Sequence, residues 1–147
     1  MTTIDLHART RPKPGTIEHY WFENPHIGLA RTCFHRILVP LEPFDSGLDY
    51  VTQPEQTTLV VEWIPLGLDD PAALDGVEIA MEDMPDVEAS IYLGGAHNWY
   101  DVERLVLVRN GDDYTATCKG VVDFASEGVA ENERFDFTAE LVYRGEA

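Results

Sequence analysis

The chain has 147 residues, 44% hydrophobic and 25% charged, with 27 Asp and Glu against 10 Lys and Arg, for a formal net charge of −17. That length and composition fit one globular domain with its own core and exclude wholesale disorder. The charge disfavours nucleic acid, whose phosphates bind Lys and Arg, and an anionic membrane surface. It favours a basic protein or a cation as partner, while also serving plain solubility.

Residues 1–15 carry Arg9, Arg11, Lys13, Pro12 and Pro14 without periodicity and read as a flexible or extended arm, leaving 16–147 as a single β domain. Residues 17–23 are dense in aromatics and read as a strand. Asn24, Pro25 and Gly28 supply turn chemistry, and 29–39 form the next strand, with helix as the competing assignment. Residues 41–56, with Pro43, Gly47 and Pro54, are a long connection. Residues 57–65 are a strand placing Leu59, Val61 and Trp63 on one face.

Asp69, Asp70, Pro71 and Gly76 have the order of a single capped helical turn. Val77, Ile79 and Met81 alternate with polar residues. In 87–93, Ala89, Ile91 and Leu93 face inward, and Gly94-Gly95 ends that strand. Residues 102–108 and 114–124 flank Asn110-Gly111, the strongest short-range hairpin signal, for which a type I′ turn is expected. Finally Phe135, Phe137, Ala139, Leu141 and Tyr143 alternate with charged and polar residues. About eight short strands with at most one or two helical turns predict an all-β, mainly antiparallel fold, either a β-sandwich or an open barrel.

Cys33 and Cys118 are too few for a disulfide framework, and the sequence leaves open whether they pair. No secretory signal pattern and no membrane-length apolar run is present, so a cytoplasmic location is expected. Nothing matches a phosphate loop, a dinucleotide fingerprint or a nucleophile elbow. No cofactor is implied, no catalytic residue stands out, and an enzyme is the less favoured reading.

The sharpest feature is a charge asymmetry. From residue 37 to 103 there is no Lys or Arg, yet fifteen Asp and Glu occur. Asp69, Asp70, Asp75, Glu82, Asp83 and Asp86 form a single-signed surface if their loops converge, and such a surface steers a basic partner. Solvated loop faces are the ordinary alternative. Trp99 and Tyr100 follow the Gly-Gly break and are candidate aromatic anchors. His97 with Asp101 and Glu103 is a candidate ligand or metal site, though a hydrogen-bonded surface histidine is the commoner outcome. Trp63 and Trp21 are expected in the core.

Three readings follow. The leading one is a small acidic non-enzymatic binding protein engaging a basic protein, of the kind an antidote or immunity protein would be against a cationic toxin or nuclease. The second is a ligand-binding or weakly catalytic barrel with a cavity lined by Trp21, Trp63 and Trp99. The third is a structural module or homodimer in which strand 87–93 offers a free edge.

Overall fold

A computed structural model describes residues 2–147; residue 1 of the expected N-terminal arm lies outside the described residues. Nine strands form one sheet: β1 (Gly15–Asn24), β2 (Leu29–Pro40), β3 (Thr58–Ile64), β4 (Glu78–Ile79), β5 (Glu88–Leu93), β6 (Ala96–Asn110), β7 (Asp113–Asp123), β8 (Glu133–Arg134) and β9 (Phe137–Glu146). Among the described residues, helix is confined to α1 (Leu6–Arg9) and two single 3-10 turns, Pro25–Ile27 and Ala125–Glu127. The all-β, mainly antiparallel expectation therefore holds, and among the described residues no helix is long and apolar enough to cross a membrane.

Seven long strands follow one another around a ring, β1-β2-β3-β5-β6-β7-β9, and β6 pairs β7 so that the sheet closes on itself as a barrel. Closure with an odd number of alternating strands forces one parallel seam. That seam is β1–β9, with Gly15 opposite Leu141 and Ile17 opposite Tyr143. β4 and β8 are two-residue additions on β6 and β7. Because β5 has β3 on one side and β6 on the other, the segment 87–93 offers no free edge.

Alternation decides what fills the barrel. Ile17, Ile37, Val39, Leu59, Val61, Ile91, Leu105, Leu107 and Leu141 are fully buried inside, and the interior is packed with side chains. Tyr100 is buried as well. Its hydroxyl donates to the Phe135 carbonyl (2.6 Å) and lies 3.4 Å from the Cys118 sulfur. Gly120 permits this: a Cβ there would stand 2.5 Å from the Asp101 carbonyl oxygen and from the Tyr100 ring.

Hairpin chemistry differs from expectation in one place. Asn110 and Asp113 are the closing pair, so the loop is Gly111-Asp112, and only Gly111 has positive φ (65°), as a II′ turn requires. The double-positive φ of a I′ turn appears instead at Gly94 (64°) and Gly95 (70°), between Leu93 and Ala96. Residues 69–76 make turns rather than a helix, although the Asp70 carboxylate does accept the Ala72 N–H (3.0 Å).

The two ends of the barrel are closed differently. At the end of the Gly94-Gly95 hairpin, the N-terminal segment is tied down rather than loose. Ile4 and Leu6 are buried with Phe44, Phe124 and Phe135. The Glu133 carboxylate accepts the Asp5 and Leu6 N–H groups (3.0 and 2.8 Å), supplying from afar the cap that Asp5 does not provide for α1. Arg9 donates to the Ile4 and Asp45 carbonyls. Burial of two large apolar side chains outweighs the freedom that Pro12 and Pro14 suggested.

The opposite end is crossed by the β3–β4 connection, where Leu74 is fully buried. There the His35 Nε2–H donates to the Pro71 carbonyl (2.8 Å) and the Tyr114 hydroxyl to the Ala72 carbonyl (2.9 Å).

Candidate functional site

The outer face of the barrel carries a row of side chains set by strand register. Glu18 on β1 lies opposite Arg36 on β2, and Glu62 on β3 lies opposite Glu88 on β5. Arg36 joins the first three: its guanidinium is 2.9 Å from Glu18 and 3.2 Å from Glu62, and it rests over the Tyr20 ring at 4.9 Å. Glu88 has no ion-pair partner among the described residues. Two carboxylates thus face each other across β3 and β5 with one guanidinium, held on the far side of Glu62. Like charges in directly opposed positions work against the sheet.

Beside this row the backbone is strained. Between β2 and β3 the register runs from His35–Ile64 to Ile37–Val61, so Glu62 and Trp63 together oppose Arg36 alone, which is a β-bulge. Trp63 has φ of 59°, a left-handed conformation that is an outlier for a bulky residue. The bulge removes Trp63 from the inward parity of Leu59 and Val61 and gives that place to Ile64, which is fully buried. Trp63 instead joins Tyr20, Phe22 and Phe34, with ring centroids 5.6, 5.1 and 5.4 Å away. The Trp63 backbone N–H donates to the Tyr20 hydroxyl (3.3 Å).

Two grooves meet at the start of β5. One, of about 380 Å³, is lined by Phe22, Leu29, Thr32, Phe34, Trp63 and Pro65, with Asp86 and Glu88 also in its wall. The other, of about 390 Å³, opens where β5 and β6 part. Their pairing runs from Leu93–Ala96 only to Ser90–Trp99, and the wedge beyond is lined by Met81, Val87, Ala89, Trp99 and Tyr100 with Glu88, Asp101 and Asp123. Glu88 belongs to both grooves.

The sequence candidates distribute as follows. Trp99 is half exposed and stands in the second groove with Asp101, whereas Tyr100, one residue on, points into the core at 1% exposure. Alternation allows only one of the pair at the surface, so Tyr100 is no surface anchor. Asp86 lies in the Trp63 groove. Asp69, Asp70 and Asp75 belong to the connection crossing the barrel end, where Asp75 accepts the Arg109 N–H (2.8 Å). Glu82 and Asp83 occupy the exposed turn before β5. None of these six acids forms an ion pair among the described residues.

The His97 ring packs at a tilt of 55° against Trp99 (centroids 5.2 Å apart) and forms no ion pair with the carboxylates among the described residues, and Glu103 is paired with Arg134 (2.9 Å). That pairing holds the Glu103 carboxyl below its usual range. No group of three or more His, Cys, Asp or Glu side chains converges to metal distance among the described residues. The three tryptophans do not share a cavity: Trp63 and Trp99 face different grooves, and Trp21 is 42% exposed with the Arg31 guanidinium 4.4 Å from its ring centroid. The expected core position of Trp21 is thus corrected: the apolar residue of β1 that is fully buried is Ile17, four residues earlier. Cys33 and Cys118 are free thiols.

Sequence reading missed a polar cluster inside the crossed end of the barrel. His19 and His35 are opposite one another on β1 and β2, with ring centroids 6.0 Å apart, and His19 Nδ1 is hydrogen-bonded to the Tyr143 hydroxyl across the parallel seam. His35 is 1% exposed and its Nδ1 has no partner. Burial pushes His35 below the usual histidine range and the Cys33 thiol and Tyr143 phenol above theirs, the last two assisted by nearby carboxylates. Donation from Nε2 to Pro71 fixes the neutral tautomer with the lone pair on Nδ1. None of these groups lines either outer groove. Register between distant strands brings them together, and no local spacing announces it.

No family model, no curated protein and no solved structure matches the chain.

Proposed function

We propose that the protein is an acidic, non-enzymatic binding protein that engages a basic protein partner through the outer wall around Glu88. The observation carrying this reading is the Glu62–Glu88 opposition, lacking a cation on its Glu88 side and placed between two tryptophan-walled grooves. A cationic surface relieves the repulsion, while Trp63 and Trp99 offer rigid apolar area of the kind that anchors interfaces. The formal charge of −17 adds long-range steering. An antidote or immunity-type inhibitor, covering the anion-binding face of a cationic toxin or nuclease, is the specific form this reading takes.

The test is retention of proteins from the source cell on the immobilised chain, comparing wild type with a variant carrying Asp86→Asn, Glu88→Gln, Asp101→Asn and Asp123→Asn. A single basic protein held by wild type at low salt, released at high salt and lost from the variant is the expected result. Undiminished retention by the variant overturns the assignment of this wall.

A further inference from the structure

We infer that residues 67–76, within the connection crossing the barrel end, form a strap that acid releases through protonation of His35. None of these residues lines either outer groove, so the strap is separable from the wall assigned to a partner.

The strap is tethered at few points. Gly67 and Gly76 bound it, with φ of 66° and 79° and open space where a Cβ would stand. Such positions absorb the backbone rotation of a hinge. From Gly67 to Leu74, two hydrogen bonds alone join it to the strands among the described residues. They are His35 Nε2–H to the Pro71 carbonyl (2.8 Å) and the Tyr114 hydroxyl to the Ala72 carbonyl (2.9 Å). The Ala73 and Leu74 N–H groups bond within the strap, to the Asp70 and Ala72 carbonyls. Leu74, fully buried, is its apolar anchor.

The barrel end beneath it holds two histidines, and only one of them can carry charge in place. His19 Nε2 lies 3.8 Å from the Glu146 carboxylate, so a protonated His19 has a partner. His35, with its ring centroid 6.0 Å from that of His19, is 1% exposed and its Nδ1 has no hydrogen-bond partner. Around this end β9 adds Tyr143, β7 adds Tyr114 and the strap adds Asp70. β2 itself adds Cys33, with Arg31 held over the Trp21 ring, and β3 presents Ile64 opposite His35. None of these groups accepts a hydrogen bond from Nδ1. A proton there puts an unpaired N–H and a second positive charge in a dry site, which burial first and His19 next oppose. Lifting the strap admits water to Nδ1, and the two carbonyls it gives up are hydrated in exchange. The open form therefore holds the proton more tightly than the closed form, and falling pH favours opening.

The experiment is amide hydrogen exchange of the full chain, read by mass spectrometry and corrected for the intrinsic pH dependence of exchange. It compares the strap with β7 at about pH 7.5 and about pH 5.5. The strap amides should be far less protected than those of β7 at both, and indifferent to dilute urea, as local opening requires. Their opening should rise roughly tenfold between the two pH values, the effect of one proton on a histidine of ordinary pKa in the open form. His35→Gln, which keeps a donor for the Pro71 carbonyl but does not titrate, should abolish the rise, and so should His35→Phe. His19→Gln should keep it, and Tyr114→Phe should speed strap exchange at both pH values without changing their ratio. Strap protection equal to that of β7, no rise with acid, its survival in a folded His35 variant or its loss in His19→Gln overturns the proposal. Should neither His35 variant fold, the rise in His19→Gln decides, because His35 is then the one histidine left beneath the strap.

Discussion

Glu88→Gln should make the protein more stable while making it a poorer binder. Glu88 stands opposite Glu62 on one face of an antiparallel pair, and among the described residues it has no ion-pair partner. Directly opposed cross-strand pairs are worth about 0.2–1 kcal/mol, with like charges on the unfavourable side. Arg36 already neutralises part of Glu62 at 3.2 Å, so the lower half of that range applies, about 0.2–0.5 kcal/mol. For a domain of this size 1 kcal/mol corresponds to about 2–4 °C, so the gain in Tm is about 0.5–2 °C at low salt. Thermal unfolding followed by circular dichroism at 20 mM and at 1 M salt resolves this. At 1 M the Debye length falls to about 3 Å and the gain should shrink toward zero. Glu82→Gln, which changes net charge equally in an exposed turn, separates local opposition from general self-repulsion. A Glu88→Gln Tm at or below wild type, or no higher than that of Glu82→Gln, would refute the reasoning.

Leu6→Ala should cost about 2–5 kcal/mol, because Leu6 is fully buried in the plug at the hairpin end; a urea midpoint shift equivalent to less than about 1 kcal/mol would mean the N-terminal segment is only loosely docked. His35 gives a signed pH dependence. Its folded pKa lies below the ordinary value near 6.5, so the unfolded chain holds the proton more tightly. The stability it supports is complete above about pH 6.5 and falls as pH drops toward the folded pKa, by at most about 1.4 kcal/mol per unit. His35→Phe should flatten the slope between pH 6.5 and 5.5 while lowering stability overall, since the Pro71 carbonyl loses its donor; an unchanged slope assigns the effect elsewhere. Thiol labelling at pH 8 should modify Cys33 in the native protein. Cys118, buried and pushed up to about 12, should react only in denaturant, and two rapidly reacting thiols would contradict that burial.

Local alternation made much of the fold legible. Ala89, Ile91 and Leu93 on β5, and Phe137, Ala139 and Leu141 on β9, face the core as their period of two requires. What escaped the sequence depends on relations between strands. Trp63 shares parity with Leu59 and Val61, and nothing in its own neighbourhood announces the bulge that turns it outward. Ile4 and Leu6 sit among prolines and charges, and their burial makes sense only once the barrel has an open apolar end to fill. The opposition of Glu62 and Glu88 comes from pairing between strands separated by a connection that crosses the barrel end, so the base-free acidic segment was visible while its decisive pair was not. The same holds for His19 and His35, which meet through register alone.

The parallel seam has a consequence for how the molecule is made. Every other pairing between long strands joins neighbours along the chain, whereas Gly15 and Leu141 are separated by nearly the whole sequence. During synthesis a curled sheet of six strands can assemble progressively, but β1 must wait with an unsatisfied edge until β9 has left the ribosome. Closure of that longest loop is then the slow, entropically costly step, and the open-edged precursor is the species most exposed to misassociation. Substitutions along β1–β9 should therefore affect yield in the cell more than their equilibrium cost suggests, whereas substitutions of equal cost in the β6–β7 hairpin should not.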